Sequence, residues 1–438
     1  MSDMKEKILY ELGFTYAGLS GKTQKDFGRG KPFIPFMNIM SNGKIDPKFL
    51  NYVDVASNEN QNAVQIGDLF FTTSSETPEE VGMTSVLLED IGECYLNSFC
   101  FGFRLYNFDD LLPEFAPYLF RGNEVRKQII NLGQGYTRFN LPKTELLKKL
   151  KLNLPSILEQ RKISKILTTA DSVIEKTQVA IAKYKVIKQG MLQDLFTRGI
   201  DITTNQLRPR FEDAPHLYKE SKLGMIPVEW DEKVFGKEVD LIHGHQFRDY
   251  DFTEFGIPVV KIGQVKPENV DLSNCSFVRA GREEEFQNEI IRNGDVLMAL
   301  TGATLGKACL VKGLNGIVLQ NYRVGRFEPI IKENDIDKEF LYYLLIAGDL
   351  LTQIFNKVNT GAQGNIGKAD FEKATFKKPP FEEQQEIAKR LKSIDNKLEI
   401  EQTYLQKMQL LKKGLLEDLL SGKKIVNVDG ELLNQNKN

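Results

Sequence analysis

The sequence predicts an α+β protein built from two tandem domains, each followed by one long helix. Three observations support this prediction: an internal repeat, two long stripes of apolar residues, and many short apolar runs separated by turn residues. Each domain is expected to hold a twisted sheet with short helices. The two long helices are expected to pair as an antiparallel coiled coil, which would relate the repeats by a pseudo-two-fold axis.

The internal repeat is clearest where the long helices are predicted. With a shift of 224 residues and no gaps, residues 155–195 overlay residues 379–419 with 15 identities in 41 positions. Upstream the match is weaker: Gly67-Asp68 corresponds to Gly294-Asp295, and Ile34-Pro35 is aligned with Ile257-Pro258. The predicted organisation follows the repeat: 1–153 first domain, 154–200 central long helix, 201–378 second domain, 379–424 C-terminal long helix and 425–438 polar tail.

Each long helix carries an apolar stripe whose steps alternate between four and three residues, which is the seam of a coiled coil. Both stripes are interrupted at the same two places, Thr177/Glu401 and Lys188/Lys412. At 1.5 Å per residue each helix of about 40 residues would be roughly 60 Å long. The residues predicted to pair the helices are Ile163, Leu167, Ile174, Ile181, Tyr184, Gly190, Ile387, Leu391, Leu398, Leu405, Met408 and Gly414.

A glycine recurs at the same place in both helices, within VIKQGMLQDLF (186–196) and LLKKGLLEDLL (410–420). Glycine inside a helix costs about 1 kcal/mol relative to alanine. Close approach of another backbone, near Pro379 for Gly190 and near Pro155 for Gly414, would explain it. A kink before the chain enters the next domain is the alternative.

The short apolar runs predict the strands of the two domains. Short helices are predicted at 113–130 and 335–356. The candidate strands are 32–40, 68–73 and 99–106 in the first domain and 258–265, 295–300 and 321–328 in the second.

The composition is that of an ordinary globular protein, with 438 residues, 41% hydrophobic and 27% charged. A net charge of −2 argues against a broad basic face and permits local basic patches. No run approaches the ~18 apolar residues of a membrane helix. The four cysteines form no C-x-x-C pair, so we expect reduced thiols and a cytoplasmic location.

The segments that resemble phosphate-binding loops do not have the required spacing. GATLGKA (302–308) has three residues between its glycines where a phosphate loop needs four, and LSGKT (19–23) lacks the first glycine. Pro-Pro before a helix start explains KKPPF (377–381). His243 and His245 have no further ligands nearby in the sequence, so no metal site is expected. These observations predict a chain with no catalytic residues and no cofactor of its own.

The two domains differ most at comparable loops, SGKTQKDFGRGK (20–31) and HGHQFRDYDFTEFG (243–256). Both loops are rich in glycine, charge and side chains able to hydrogen-bond base edges, yet they are unlike each other. Two related scaffolds with unlike loops would recognise two unlike things.

Several motifs together carry a resemblance to a known family. LPSILEQRKISKIL (154–167) and PPFEEQQEIAKRL (379–391) resemble the Pro-x-x-x-Glu-Gln entry to the long helices of type I restriction–modification specificity subunits. KLGMIPVEW (222–230) resembles the lead-in to that family's second target recognition domain, and TGAQGNIGKADF (360–371) is similar to its Gly-x-x-Gln-x-Asn-Ile stretch. The first domain departs from the pattern, since LGQGYTRFN (132–140) has Tyr-Thr in place of Asn-Ile.

The resemblance implies a non-catalytic subunit that recognises double-stranded DNA, each domain reading one half of an asymmetric split target. The helices would set the spacer and dock two methyltransferase subunits, which would bind S-adenosylmethionine and methylate adenine. Restriction/translocase subunits would join this complex. A coiled-coil adaptor with two protein-binding domains is the alternative that the near-neutral charge permits.

Base edges in the major groove are read by paired donors and acceptors, with Gln and Asn suiting adenine and Arg and Lys suiting guanine. The loops therefore predict DNA contacts by Lys22, Thr23, Gln24, Lys25, Arg29 and Lys31 in the first domain, and by His243, His245, Gln246, Arg248, Tyr250, Thr301, Thr304 and Lys307 in the second. A third set either lines the DNA or holds the turn before each long helix: Gln134, Tyr136, Arg138, Gln363, Asn365 and Lys368.

Overall fold

The computed structural model describes residues 4–331, 335–356 and 364–427. The chain divides into two compact units, 1–179 with 403–438 and 180–402. Each unit therefore combines one of the two domains with a segment of both long helices, so the units cut across the linear boundaries expected from the sequence. Within the expected polar tail, Val426 packs into the core of the first unit, and residues 428–438 lie outside the described part.

The described part of the first domain contains eleven strands and four α-helices. Its strands are β1 Lys5–Ile8, β2 Gly13–Ala17, β3 Phe27–Ile34, β4 Asn51–Val53, β5 Leu69–Thr72, β6 Ser74–Ser75, β7 Thr84–Val86, β8 Tyr95–Leu96, β9 Cys100–Leu105, β10 Phe139–Asn140 and β11 Lys151–Leu154. Its helices are α1 Phe36–Ser41, α2 Ala116–Arg121, α3 Asn123–Leu132 and α4 Lys143–Lys149. The first long helix, α5, runs from Ile157 to Thr197.

The second domain repeats this plan after an additional pair of hairpins. Its strands are β12 Ile200–Asp201, β13 Gln206–Leu207, β14 Tyr218–Ser221, β15 Gly224–Pro227, β16 Asp231–Val234, β17 Val239–His243, β18 Phe252–Thr253, β19 Ile257–Val260, β20 Ser276–Val278, β21 Val296–Ala299, β22 Ala308–Leu310, β23 Leu319–Gln320, β24 Val324–Pro329 and β25 Thr375–Lys378. Its helices are α6 Phe235–Glu238, α7 Lys338–Ile346, α8 Asp349–Phe355 and α9 Lys368–Glu372. The second long helix, α10, runs from Phe381 to Leu420.

The main sheets of the two domains have the same topology, β2-β9-β5-β7 in the first and β17-β24-β21-β22 in the second. All four residues of β5 and all four of β21 are buried. Gly67 and Gly294 lie two residues before these strands and have nearly the same positive φ, 90° and 89°. The expected correspondence of Gly67-Asp68 with Gly294-Asp295 is therefore confirmed.

Two local expectations were wrong. Residues 32–40 were expected to form one strand, but β3 ends at Ile34 and α1 begins at Phe36, after Pro35. The alignment of Ile34 with Ile257 was also off by three residues. Ile34 pairs in parallel with Leu96, and the residue that pairs in the same way in the second domain is Val260, opposite Gln320.

The long helices pair antiparallel, as is visible within each unit. In the first unit Ile163 and Leu167 share a core with Leu419, and Asp171 bonds to Lys412. In the second unit, Leu195 shares a core with Ile387 and Leu391, and Lys188 bonds to Asp395 at 2.6 Å. The expected α+β class with tandem domains and paired antiparallel helices is confirmed.

The lysines that interrupt the apolar stripes have partners in the opposing helix. Lys188–Asp395 and Asp171–Lys412 are reciprocal pairs, since each member is shifted by 224 residues from its equivalent. Tyr118 and Tyr343, from the two domains, donate to Asp171 and Asp395 at 2.7 and 2.8 Å. Burial raises the pKa of both phenols, so they remain donors at neutral pH. The two lysine interruptions thus pair with the aspartates to which a tyrosine of each domain is hydrogen-bonded.

The recurring glycines do not have the role expected of them. Gly190 and Gly414 are exposed within continuous helices. Among the described residues, nothing lies within 4 Å of where a Cβ on either glycine would stand, the helix's own backbone aside. The expected close approach of another backbone within the chain was wrong. Of the other residues predicted to pair the helices, Ile163, Leu167, Ile181, Ile387, Leu391 and Leu398 are buried, and Ile174, Tyr184, Leu405 and Met408 are half-buried. No helix of the described chain is long and apolar enough to cross a membrane.

Candidate nucleic-acid interface

The comparable loops of the two domains contain the same short turn. In the first domain, the Thr23 N–H donates to Asp26 Oδ2 at 2.7 Å, and in the second the Arg248 N–H donates to Asp251 Oδ2 at 2.8 Å. These backbone hydrogen bonds lower the pKa of both carboxyl groups. Each bond closes one turn of 3-10 helix, Gln24–Asp26 or Asp249–Asp251. We call these two segments the capped turns.

The capped turns hold unlike residues in equivalent places. Gln24 and Lys25 occupy the first two positions of one turn, and Asp249 and Tyr250 occupy those of the other. All four are exposed, and Tyr250 is 85% exposed. A phenylalanine follows each turn, Phe27 in one domain and Phe252 in the other. The scaffold is therefore shared while the presented side chains differ.

A second matched pair of turns precedes β9 and β24. Asn97 Oδ1 accepts the N–H of Phe99 at 2.8 Å, and Asn321 Oδ1 accepts that of Arg323 at 3.2 Å. These asparagine turns present Ser98 and Phe99 in one domain, and Tyr322 and Arg323 in the other. The residues of this turn were missed in the sequence analysis, although an asparagine recurring at a shift of 224 just before a strand was a usable signal.

Both kinds of turn lie at the same end of each main sheet. β2 ends opposite the start of β9, where Ala17 pairs with Phe101, and the Leu19 N–H then donates to Leu96 O at 2.8 Å. β17 ends in the same way against β24, and the His245 N–H donates to Gln320 O at 3.0 Å. Each domain thus has one loop-bearing sheet end built from two turns.

The basic candidates of the first domain are mostly engaged with carboxylates. Lys22 lies against Glu59 at 2.5 Å with its side chain only 7% exposed, so a DNA contact by Lys22 would require breaking that pair. Arg29 lies 3.4 Å from Asp54, and Lys31 lies 2.6 Å from Glu93. Thr23 is the cap of its turn through both its N–H and its hydroxyl. Gln24 and Lys25 are the candidates that the capped turn presents outward.

The histidine loop of the second domain is partly fixed by its own packing. His243 Nδ1 lies 3.1 Å from the Tyr322 carbonyl oxygen. The His245 ring lies 4.8 Å from the ring of Phe247 and 5.0 Å from that of Phe286. The side chains of Gln246, Arg248 and Tyr250 are exposed beside these packed rings. These five candidates lie within eight consecutive residues, 243–250, and their contact with DNA stays a prediction.

In the loop of Thr301, Thr304 and Lys307, the two threonines are hydrogen-bonded within their own unit, whereas Lys307 is exposed. Thr301 Oγ1 donates to Gly364 O at 3.4 Å, and Thr304 Oγ1 donates to Ile262 O at 3.1 Å. Lys307 lines a cavity of about 530 Å³ together with Lys188 and Asp395 of the helix pair. The loop nevertheless begins beside the asparagine turn, since the Leu300 N–H donates to Arg323 O at 3.0 Å.

The candidates just before the long helices were expected either to line the DNA or to hold the turn before each helix. Their contacts differ between the two domains. In the second domain, Asn365 bridges to Thr301, and Lys368 pairs with Asp240 at 2.5 Å, which raises the pKa of the lysine. These contacts support holding the turn before the long helix. Gln363 lies outside the described residues.

In the first domain, the Gln134 N–H donates to Asn140 O at 2.9 Å, and Arg138 donates to the Ser74 hydroxyl at 2.9 Å. Tyr136 projects fully into solvent. The side chain of Arg138 is engaged with Ser74, whereas those of Tyr136 and Gln134 are exposed and can meet a ligand.

The fold and these turns define a class of protein: a recognition protein in which two copies of one scaffold, joined by an antiparallel helix pair, present unlike side chains. Comparison with known families agrees with this class. Residues 9–183 and 244–410 match the family described as the type I restriction modification DNA specificity domain, and the chain belongs to that family.

Relatives and solved structures extend the match over almost the whole chain. The MjaVIII specificity subunit of a type I restriction enzyme from Methanocaldococcus jannaschii is 28% identical over 70% of this chain and 69% of its own length. The putative MjaX specificity subunit from the same organism is 28% identical over 93% of this chain and 90% of its own. The type I S subunit from M. genitalium has the same fold, with a TM-score of 0.56 at 14% identity, covering 95% of this chain and 96% of that one.

Proposed function

We propose that the chain is the DNA specificity subunit of a type I restriction–modification complex, and that each domain reads one half of an asymmetric bipartite target through its capped turn and its asparagine turn. The observation that supports this most directly is that the two domains hold unlike exposed residues on the same turns. Side chains such as Gln24, Lys25 and Arg323 carry the donors that base edges in the major groove accept. The near-neutral net charge supports a complex in which partner subunits bind part of the phosphate backbone.

Methylation and cleavage belong, in this proposal, to partner subunits. Two methyltransferase subunits would bind S-adenosylmethionine and methylate adenine, and restriction/translocase subunits would join the complex. The long helices offer a repeated surface for the two methyltransferase subunits. Val186 and Ile187 on α5, and Leu410 and Leu411 on α10, are exposed apolar residues at equivalent positions.

The recurring glycines lie on this same exposed side of the helices, one turn beyond the apolar pairs. Because Gly190 and Gly414 meet no neighbour in the described chain, close approach by a partner chain accounts for both of them. Two equivalent patches also match two copies of one partner.

The proposal is tested by exchanging the residues of one capped turn. Gln24→Asp with Lys25→Tyr puts the residues of the second turn on the first. Methylation mapping should show a change at one or two positions of one half-site, while the other half and the spacer remain unchanged. Replacing the whole loop 20–31 is the broader form of the same exchange. Changes in both halves, or in neither, would show that the turn does not read the target.

A further inference from the structure

Two surface grooves occur at equivalent places, one in each unit. The first edge groove, of about 490 Å³, lies between the start of α3, the outer edge of β11 and the end of α10, and is lined by Leu119, Glu124, Gln128, Asn153 and Leu420. The second edge groove, of about 270 Å³, lies between α8, β25 and the end of α5, and is lined by Leu344, Asp349, Gln353, Lys377 and Phe196. Each residue of the first set has its counterpart in the second at a shift of 224 or 225 residues.

A glutamine covers part of the strand edge in each groove. The Gln128 side chain donates to Lys151 O at 2.9 Å and accepts the Lys151 N–H at 3.0 Å. Gln353 does the same for Thr375, at 2.9 and 3.2 Å. In each unit, one side-chain amide therefore makes the two hydrogen bonds that the backbone of a neighbouring strand would otherwise make.

Among the described residues, no side chain is hydrogen-bonded in this way to the next outward-facing residue along each strand. The Leu9 N–H donates to Leu150 O, and hydrogen-bonded pairs alternate along an antiparallel ladder. In this register the backbone N–H and C=O groups of Lys151 and Asn153 face away from β1. Asn153 lies opposite Glu6 of β1. In the second unit, the bond from the Phe235 N–H to Ala374 O sets the same alternation. Lys377 thus faces outward, opposite Glu232.

We propose that each edge groove binds an extended segment of a methyltransferase subunit, which adds a short strand to the free edge at Asn153 or Lys377. An unpaired strand edge beside an apolar floor is the arrangement that takes a peptide by strand addition. Leu119 and Leu420, or Leu344 and Phe196, supply that floor for an apolar side chain of the segment.

The identity of the occupant rests on the proposed function and on two features of the chain. The site occurs twice, which matches a partner present in two copies. Each groove also ends on the helix that carries an exposed apolar pair and a glycine. α10 runs from Leu410 and Gly414 to Leu420 in the first groove, and α5 runs from Val186 and Gly190 to Phe196 in the second. One partner subunit could therefore contact the helix face and the adjoining groove together.

Proline variants test strand addition with a matched control. Proline removes the N–H and is tolerated where that N–H faces outward from a strand edge. Asn153→Pro and Lys377→Pro should each weaken binding of one methyltransferase copy by about tenfold, the effect of losing the one hydrogen bond that the N–H donates. Native mass spectrometry of the reconstituted complex would show one bound copy for each single variant and none for the double variant. Glu6→Pro and Glu232→Pro, which place proline on the opposite edge of the same strand pairs, should retain two copies.

Hydrogen exchange on the wild-type complex gives a readout that does not depend on the folding of a variant. The amides of Asn153 and Lys377 should exchange much more slowly than those of Glu6 and Glu232. Equal, fast exchange, or proline variants that bind both copies as tightly as their controls, would overturn the groove proposal and leave the proposed function standing. Failure of the wild-type chain to bind methyltransferase subunits at all would overturn both.

Discussion

A Glu-Gln pair recurs at the start of each long helix. The glutamine makes the same contacts in both repeats, whereas the glutamate makes different ones. Gln160 and Gln384 are both fully buried. Each carboxamide donates to two carbonyls and accepts one N–H, fastening the loop before a domain helix to the helix start. The glutamates differ. Glu159 caps its own helix at Ser156, whereas Glu383 is 1% exposed and binds Arg208 and the indole of Trp230.

This difference predicts unequal effects of the same substitution. Glu383→Gln leaves the buried Arg208 with only the exposed carboxylate of Glu229, 3.6 Å away, as counter-charge. Loss of one partner of a buried pair costs about 3 kcal/mol. Glu159→Gln alters only a helix cap, worth about 1 kcal/mol or less. The single tryptophan of the sequence, Trp230, reports on the second unit, so the urea midpoint followed by its fluorescence should fall for Glu383→Gln. Circular dichroism would follow both variants. Equal midpoints would refute the structural role of the Glu383 cluster.

At the scale of elements, the repeat and the apolar stripes predicted the long helices, their pairing residues and the main strands, because burial imposes a period that the sequence displays. The short elements were harder to predict. Residues 32–40 read as one apolar run, yet the run is split between β3 and α1 at Pro35. Gly190 and Gly414 were misjudged because the sequence signature of a glycine in a helix does not show what lies beside it.

The loop composition predicted which side chains are exposed better than it predicted their contacts within the chain. The composition correctly placed Gln24, Lys25 and Tyr250 on exposed turns. It gave no indication that Lys22 is held by Glu59 or that Lys307 faces a cavity beside the helix pair. Those outcomes depend on residues distant in the sequence, which no local pattern displays.

Substitution of the recurring glycines separates helix stability from assembly. Gly190→Ala and Gly414→Ala should each stabilise the chain by up to about 1 kcal/mol, since alanine favours an exposed helix. Gly190→Leu and Gly414→Leu should preserve folding but reduce binding of methyltransferase subunits, because the larger side chain keeps a partner backbone away. Thermal unfolding and sedimentation of the reconstituted complex measure the two effects. Leucine variants that assemble as well as the alanine variants would contradict docking at this face.

At the scale of the whole molecule, the two repeats use their helices in a reciprocal way. Each unit contains a domain and a segment of both long helices, fastened by equivalent Lys–Asp pairs and a tyrosine from the domain. The family match covers both repeats. In the proposed function, this helix pair fixes the distance between the two half-sites on DNA.

Lengthening the helix pair should change the spacing and nothing else. One heptad inserted in both helices, after Val179 and after Gln402 where the units divide, adds about 10 Å. This length corresponds to about three base pairs of DNA. The tolerated spacer should lengthen accordingly while both half-site sequences are retained. A heptad in only one helix should impair assembly. An altered base preference at normal spacing would contradict the role of the helices as a spacer.

Mapping methylated adenines by single-molecule sequencing, in cells that express this chain with its methyltransferase subunits, tests the central claim most directly. Two domains with a common scaffold and unlike turns predict a single motif composed of two unlike half-sites, separated by a spacer of fixed length and no sequence preference. A continuous motif, a palindrome of two identical halves, or methylation without any motif would contradict it.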